Sequence, residues 1–574
     1  MNVRVVVLQS KKQVAHYAIN KRDNLDIIIP IGPEAMFETE KYALDVYNVG
    51  ELWSGTDYEQ AKNESEARIN ALIEMLNTYS YNWNPNIALE MGHYYGFQLW
   101  VIIGQIHYNY FIAQSIVKHF LPTKVLIYTN CDLKNFMQIR PSPDSIFAEV
   151  FLNSGCIENE LIEIVSISEK MVKSNINQKI LSVLPVSLTN KLRQIRNKWR
   201  VRRFRKFKYR LLLVGGGYDW FKVSRHEVFR KNFGIDISLT QPINKRIEPS
   251  DELTSILNSS VEYVGATVYG MKDLASAIQS DLVFYLKKHK KLISSLKRYD
   301  SVISGVFTFP WENHLAHLAN MAGIPVVLWQ HGEKGQASSV TSLYTELYYA
   351  TDYLAYGPEV VRQYQSWVGK NSLKNTLAVG SIGKKIVWKG GDRIVYSTGK
   401  WFKTATPFQS IPDPDARLYN AQKVILGYFD NLAGNPNVVL NANNTSGFNA
   451  IPHKYGNIDI DYITPFINLL ETAKIIVLDT PATTLVEACS TKVPIFVLGG
   501  RVNYHPLFLE KIKRRVVWCE DPNDLVAKID LYLHTGLYEA DVNDNIYYRE
   551  YCGIEDATSV ASQASKSLID AIER

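Results

Sequence analysis

Apolar residues in this chain gather into short unbroken runs rather than alternating stripes. Such runs, bounded by polar or turn residues, mark strands buried on both faces. In the first 165 residues the runs RVVVLQ (4–9), LDIIIPI (25–31), ALDVYNV (43–49) and KVLIYTN (124–130) predict four strands, and residues 58–79 carry helical periodicity. The most apolar stretch, 94–121, is broken by Gln98, Gln105, His107, Asn109 and Gln114, which predicts a buried helix or pair of helices and not a membrane span. At the N-terminus the apolar run is only Val3 to Leu8, and charges follow at once, as in a first strand rather than a signal peptide.

The alternation continues after residue 209. YRLLLVGGGYDW (209–220) is a strand running into three glycines and then a helix. Glycine lets the backbone turn tightly and approach a ligand, so this is the opening of a Rossmann-like unit. GGG is not GxGxxG, and no acidic residue follows at ribose-clamp distance, which argues against a dinucleotide. SVISGVF (301–307), PWENHLAHLANMAG (310–323), IPVVLWQHGEKG (324–335), YLAYGPEVVRQY (353–364) and TLAVGSIG (376–383) complete one βα series. A second starts at RIVYSTGKW (393–401) and runs through VILGYFDNL, VVLNAN (438–443), IIVLD, PIFVLGG (494–500) and RVVWCE (515–520). Alternating β and α elements predict parallel, doubly wound sheets. The expected fold is therefore α/β, with two tandem Rossmann-like domains over 209–385 and 386–574. An additional α/β domain (1–165) and a connector (166–208) precede them. Two such halves leave a cleft at the C-terminal ends of their strands, where ligands bind.

Length and composition agree with several domains of an ordinary globular protein: 574 residues, 46% hydrophobic and 21% charged. The five cysteines are scattered, with no CxxC pair or Cys/His cluster, so neither a disulfide framework nor a zinc site is expected and a reducing, cytoplasmic setting fits. The net charge of +6 is unevenly placed. Residues 191–210, KLRQIRNKWRVRRFRKFKYR, hold eleven cations and no acid; removing them from 63 Lys and Arg leaves 52 against 57 Asp and Glu, a net of −5. A basic segment mixed with Trp199, Phe204 and Phe207 suits an anionic membrane surface better than nucleic acid, with a solvated linker as the plain alternative.

Four loops should line the cleft. In KIIVLDTPATTLVEA (474–488) a buried strand ends at Asp479, Thr480 suits an N-cap, Pro481 suits the first helical position, and Thr483 and Thr484 offer hydroxyls in the first turn. Unpaired N–H groups at such a helix start favour a phosphate, and Glu487 follows where it can reach a ribose hydroxyl. Ser397-Thr398-Gly399-Lys400-Trp401 is a hydroxyl-rich turn with a lysine, suited to a diphosphate oxygen or to nothing more than a surface turn; it is not a Walker A loop. Gln330-His331-Gly332-Glu333-Lys334-Gly335 exposes His331 and Glu333 between glycines, and a His titrates in the right range for a general base, although it could simply cap a carbonyl. Pro310-Trp311-Glu312-Asn313-His314 opens a helix, where the dipole by itself accounts for Glu312; Glu312 is the rival base. Gly215, Gly216, Gly217 and Gln330 form the remaining loop positions of the first half. Asn441–Asn444 and Pro452-His453-Lys454 are weaker candidates at a base or sugar.

WENH, then a strand and QHGEKG, then LDTPATTLVEA and PIFVLGG, together resemble bacterial GT-B glycosyltransferases of surface-polysaccharide synthesis. The nearest in pattern are the Kdo-transferase-like, capsule or O-antigen enzymes and the CDP-glycerol glycerophosphotransferase-like group. The resemblance covers about residues 209–530. It implies an acceptor-side half (209–385) with His331 catalytic or phosphate-facing, and a donor half (386–574) in which Thr480, Thr483 and Thr484 hold the donor phosphates and Glu487 the ribose. It further implies sugar transfer from a nucleotide-activated donor to a glycan or lipid-linked acceptor, without a cofactor or metal, at the inner face of the cell membrane. His505-Pro506 lies later than the His-Pro dipeptide of the polyol-phosphate and sialyl/Kdo-type enzymes, so the donor base stays open. A polyol-phosphate transferase, a sugar-nucleotide epimerase and a non-catalytic glycan- or nucleotide-binding assembly protein are the alternatives.

Overall fold

The computed structural model describes all residues except 1–2, 22, 24, 53–54, 130–142, 167–206, 238–245, 265–269, 333–342, 383–385, 400–414, 435–436, 443–454, 501–503 and 554–555. Its described strands form three sheets, and every strand pairing is parallel. The first holds β1 (Arg4–Leu8), β2 (Ile27–Pro30), β3 (Lys124–Thr129) and β4 (Ile162–Ser166) in the order β2-β1-β3-β4. The middle sheet holds β5 (Tyr209–Leu213), β6 (Phe233–Asp236), β7 (Ser301–Ser304), β8 (Val326–Trp329), β9 (Asp352–Ala355) and β10 (Asn375–Ala378) in the order β10-β9-β8-β7-β5-β6. The third holds β11 (Arg393–Ser397), β12 (Val438–Asn441), β13 (Ile458–Asp461), β14 (Ala473–Leu478), β15 (Ile495–Leu498) and β16 (Val517–Cys519) in the order β13-β12-β11-β14-β15-β16. This is the α/β architecture the patterning predicts: two tandem Rossmann-like sheets behind a further α/β unit.

Three strands carry no unbroken apolar run: β4, β6 and β13. All are sheet edges, where one side stays open and polar residues are tolerated. Conversely, the ALDVYNV run does not become a strand. Ala43 is left-handed (φ 48°), Asn48 Oδ1 accepts from the Gly50 N–H (2.9 Å), and only a single bridge, Val46 to Ile28, remains between these turns.

The apolar stretch near residue 100 is one 30-residue helix, Met91–Phe120, buried on nearly every side. Its first half (Tyr94, Leu99, Ile103) shares a core with Leu315 and Tyr344 of the middle half. Its second half (Tyr108, Ile112, Ile116) shares one with Val5 and Ile127 of the first sheet and Tyr396 of the third. Among the described residues no helix is long and apolar enough to cross a membrane. Of the polar residues that broke the run, Gln98, Gln105, His107 and Asn109 are buried too and Gln114 is exposed: Asn109 Nδ2 donates to the Gln105 carbonyl (2.7 Å) and Gln98 Nε2 to the Thr308 carbonyl. The last helix, Ala557–Glu573, returns from the third sheet to the middle sheet, packing Val560, Ala564 and Leu568 against Leu211, Trp220 and Trp329.

The packing of Met91–Phe120 on helix Pro310–Met321 traps a histidine. His314 is fully buried, its ring stacked on Tyr285 (3.9 Å, 15°), and neither ring nitrogen has a hydrogen-bond partner. Burial and the neighbouring His317 and His289 hold its pKa well below the ordinary value. The folded protein keeps this imidazole neutral whereas the unfolded chain protonates below about pH 6.5, so stability is lost as pH falls, by up to about 1.4 kcal/mol per pH unit for one such group. His314→Phe is expected to flatten the fall in melting temperature between pH 6.5 and 5 without lowering it at pH 8; a pH series of thermal melts checks this.

Candidate functional site

The loops that follow the middle-sheet strands are tied to one another. Gly215 has φ 71°, and a Cβ there would run into the Val306 carbonyl, so only glycine fits this turn. Gly216 N–H donates to Val306 O (3.3 Å) and Gly305 N–H to Gly216 O (2.7 Å). Gly217 precedes helix Tyr218–Val223, and the Tyr218 ring, beside Gly216, stacks on His331 (3.6 Å between centroids, 15°). The glycines thus serve close packing of the loop, and Tyr218 fixes the imidazole plane.

Gln330 is buried and directs its amide inward: Nε2 donates to the Gly332 carbonyl (2.9 Å) and Oε1 accepts from the Tyr356 N–H (2.8 Å). It holds the His331–Gly332 corner in shape from behind, rather than lining the cleft. Tyr356 in turn donates its hydroxyl to Asp219 Oδ2 (2.7 Å), and Asp219 Oδ1 pairs with Lys222 Nζ (2.6 Å). Glu312 is committed to the start of its helix: Oε2 accepts from the N–H groups of Thr308 (2.7 Å) and Phe309 (3.1 Å). Burial raises the Glu312 pKa and these hydrogen bonds oppose the rise. Its carboxyl carbon nevertheless lies 3.3 Å from where a Cβ of Gly215 would sit, at the cleft end of the sheet. Glu333 lies outside the described residues.

In the third sheet, Ser397 ends β11 and is buried, and Thr398 N–H donates to the Asn441 carbonyl (3.2 Å). Lys400, residues 443–444 and Pro452-His453-Lys454 lie outside the described residues. Asp479, expected to face the donor, is fully buried instead. Oδ2 accepts from Tyr396 Oη (2.8 Å) and Gln422 Nε2 (2.6 Å), and Oδ1 accepts from the Gly399 N–H. Its carboxylate anchors the 397–399 turn from below.

The helix boundary also moves. Thr480 is not the N-cap and Pro481 is not the first helical residue: Ala482 caps a seven-residue helix, Thr483–Cys489. Thr480 Oγ1 is buried against Gly399 without a hydrogen-bond partner, so the turn runs two residues further before helical geometry begins. Thr483 is exposed, and Thr484 and Glu487 are half-buried. Burial raises the Glu487 pKa, and the charge of Lys222, from the other half of the protein, lowers it.

The two loop sets therefore meet. A Cβ on Gly332 (φ 70°) would lie 3.7 Å from Thr483 Oγ1, which puts the His331–Gly332 corner directly across from the first residue of helix Thr483–Cys489. The structure brings together Gly215, Gly216, Gly217, His331, Glu312, Thr483 and Glu487 around one cleft, and sets Gln330 and Asp479 behind it. Tyr218 and Lys222 were not singled out from the sequence; Tyr218 follows directly on the glycines and was the available signal. Chemically, the corner offers an imidazole that can take a proton, opposite hydroxyls and helix-start N–H groups that suit an oxyanion. Among the described residues no group of three or more His, Cys, Asp or Glu is arranged to hold a metal ion.

No protein-family model and no curated protein matches the chain. Solved structures are similar at low identity. The pneumococcal O-GlcNAc transferase GtfA, in complex with UDP and GlcNAc, is 12% identical over 49% of this chain and 60% of its own, with a TM-score of 0.34. The glycotransferase of kitacinnamycin is 13% identical over 64% and 99%, with a TM-score of 0.36. MurG of Acinetobacter baumannii is 11% identical over 64% and 99%, with a TM-score of 0.32. The chain thus spans about three fifths of the length of GtfA and nearly all of the other two.

Proposed function

We propose that this protein is a GT-B-type glycosyltransferase that moves a sugar from a nucleotide-activated donor to a surface-glycan acceptor, with the donor held by residues 386–574. The observation that carries the reading is the meeting of the His331–Gly332 corner with Thr483 across the ends of two parallel sheets. In this reading His331 takes the proton of the acceptor hydroxyl as its oxygen bonds to the sugar carbon. The bond from that carbon to the diphosphate breaks, and the electron pair leaves with the nucleotide. The departing charge is met by the N–H groups and hydroxyls of Thr483 and Thr484, which suit an oxyanion as a metal would. Ser397, Thr398 and Lys400 would border the diphosphate, Thr480 would lie beneath it, and Glu487 would accept from the ribose. Tyr218 and Gln330 position the histidine. The acceptor is lipid-linked in this reading, and the basic residues 191–210 rest on an anionic membrane at the inner face of the cell membrane.

The test is a thermal-shift panel with UDP, GDP, CDP, CMP and dTDP. One nucleotide is expected to stabilise the protein, by about 2.7 kcal/mol at a hundred times its dissociation constant, and Thr483→Val/Thr484→Val is expected to abolish the shift. Stabilisation by CMP or CDP would redirect the reading to phosphodiester or Kdo-like transfer. Absence of any shift would remove the donor site and leave a scaffold role.

A further inference from the structure

A surface pocket lies where the N-terminal unit meets the middle half at the opposite end of its sheet. The turn between the long helices Gly55–Trp83 and Met91–Phe120 faces the last turns of helix Gly270–Leu296, and together they border an open surface pocket of about 580 Å³. Lys297, at the rim, lies just before β7 begins, so the cavity opens away from the strand ends that form the cleft.

Its lining sets cationic and hydrogen-bonding groups, most of them exposed, around an apolar floor of Ile87 and Ile293. Lys290, Ser294 and Lys297 follow one another at helical i, i+4, i+7 spacing, which places the two lysine stems roughly 10 Å apart along the axis with a hydroxyl between them. Asn84 and Asn86 supply side-chain amides from the facing turn, which is itself fixed by the Asn86 N–H donating to Asn84 Oδ1 (3.2 Å). His289, only 8% exposed, completes the wall, and its Nδ1 has no hydrogen-bond partner. Burial and then the Lys290 charge lower the His289 pKa, as expected beside positive charge without a counter-ion.

That charge is not compensated. Residues 282–299 contain six Lys and Arg and no acid. The ion pairs of this helix, Lys272 with Glu248 (2.8 Å) and Asp273 with Arg246 (2.6 Å), sit at its other end. Among the described residues neither Lys290 nor Lys297 pairs with a carboxylate. Two unpaired ammonium groups, a hydroxyl, two amides and a buried imidazole suit a small tetrahedral oxyanion, since charge-assisted hydrogen bonds gain most where the cations lack other partners.

We propose that this cavity is a phosphate-binding site, taking the phosphate group of an anionic ligand between Lys290 and Lys297. The phosphate can belong to a lipid headgroup or to a soluble phosphate ester, and both present the same oxygens to these residues. The site is independent of the sugar-transfer reading.

The full-length chain is titrated with glycerol 1-phosphate by calorimetry, and co-sedimented with vesicles of phosphatidylglycerol and phosphatidylcholine against phosphatidylcholine alone. Lys290→Gln/Lys297→Gln is compared with Lys287→Gln/Lys291→Gln, which removes the same charge from exposed positions of the same helix outside the cavity. The cavity variant is expected to weaken binding about tenfold or more, and the control about twofold or less. Loss confined to glycerol 1-phosphate identifies a soluble ester, and loss confined to the anionic vesicles a lipid headgroup. Binding of neither probe by the wild type, or equal weakening by both double variants, overturns the proposal.

Discussion

Replacing His331 by alanine is expected to lower turnover about 10²–10⁴-fold, the range that a positioned general base contributes. Nucleotide-induced stabilisation should stay within about twofold in apparent affinity, because the imidazole lies on the loop after β8 and the proposed donor groups lie in the facing half. The comparison that gives this result meaning is Glu312→Gln. Glu312 Oε2 accepts two backbone N–H groups at the start of its helix, a role that glutamine's carbonyl can fill. A glutamine there should cost less than about fivefold if Glu312 is a helix cap and much more if it is the base. Initial-rate measurements with the nucleotide sugar found by the thermal-shift panel decide between them. An intact rate in His331→Ala with a collapsed rate in Glu312→Gln would reverse the assignment, and intact rates in both would sink the mechanism.

Asp479→Ala is expected to be the most destabilising single change near the site, by roughly 3–5 kcal/mol, since it strands buried donors on Tyr396, Gln422 and the Gly399 backbone at once. Asp479→Asn should cost less. The neighbouring Gln422 can turn its amide and offer the new Nδ2 its Oε1, which has no hydrogen-bond partner. Urea melts of the two variants check the stability order. Because Asp479 is buried behind the 397–399 turn, Asp479→Asn should also retain the nucleotide-induced shift, whereas a residue in contact with the donor phosphates would lose it. Loss of that shift in a folded Asp479→Asn protein would return Asp479 to the ligand.

Much of the fold could be read from the chain because parallel strands buried on both faces must be almost wholly apolar. VVVL, VLIY, RLLL, VVLW, IIVL and IFVL are runs of that kind, and each forms a strand. The edge strands β4, β6 and β13 escaped notice because an edge needs only one covered neighbour, and IDID looks like a loop until β12 lies beside it. ALDVYNV failed in the opposite sense, since turns at Ala43 and Asn48 leave no room for a ladder. At the candidate site the composition of each loop was legible, but its inside and outside were not. Asp479 and Gln330 have the side chains of ligand-binding residues. Only the positions of Tyr396, Gln422 and Tyr356, distant in sequence, show that both point into the protein.

The sequence by itself determined the layering: parallel α/β sheets, and glycine- and hydroxyl-rich turns at the C-terminal ends of the strands. Those are local properties, fixed by burial pattern and backbone freedom over a few residues. Tertiary structure alone decided that Gly332 faces Thr483, that the helix Ala557–Glu573 closes on the middle sheet, and that Met91–Phe120 joins the N-terminal unit to the cores of both halves. These contacts join residues far apart in the chain. They depend on which apolar faces find each other, and no run of neighbouring residues encodes that choice.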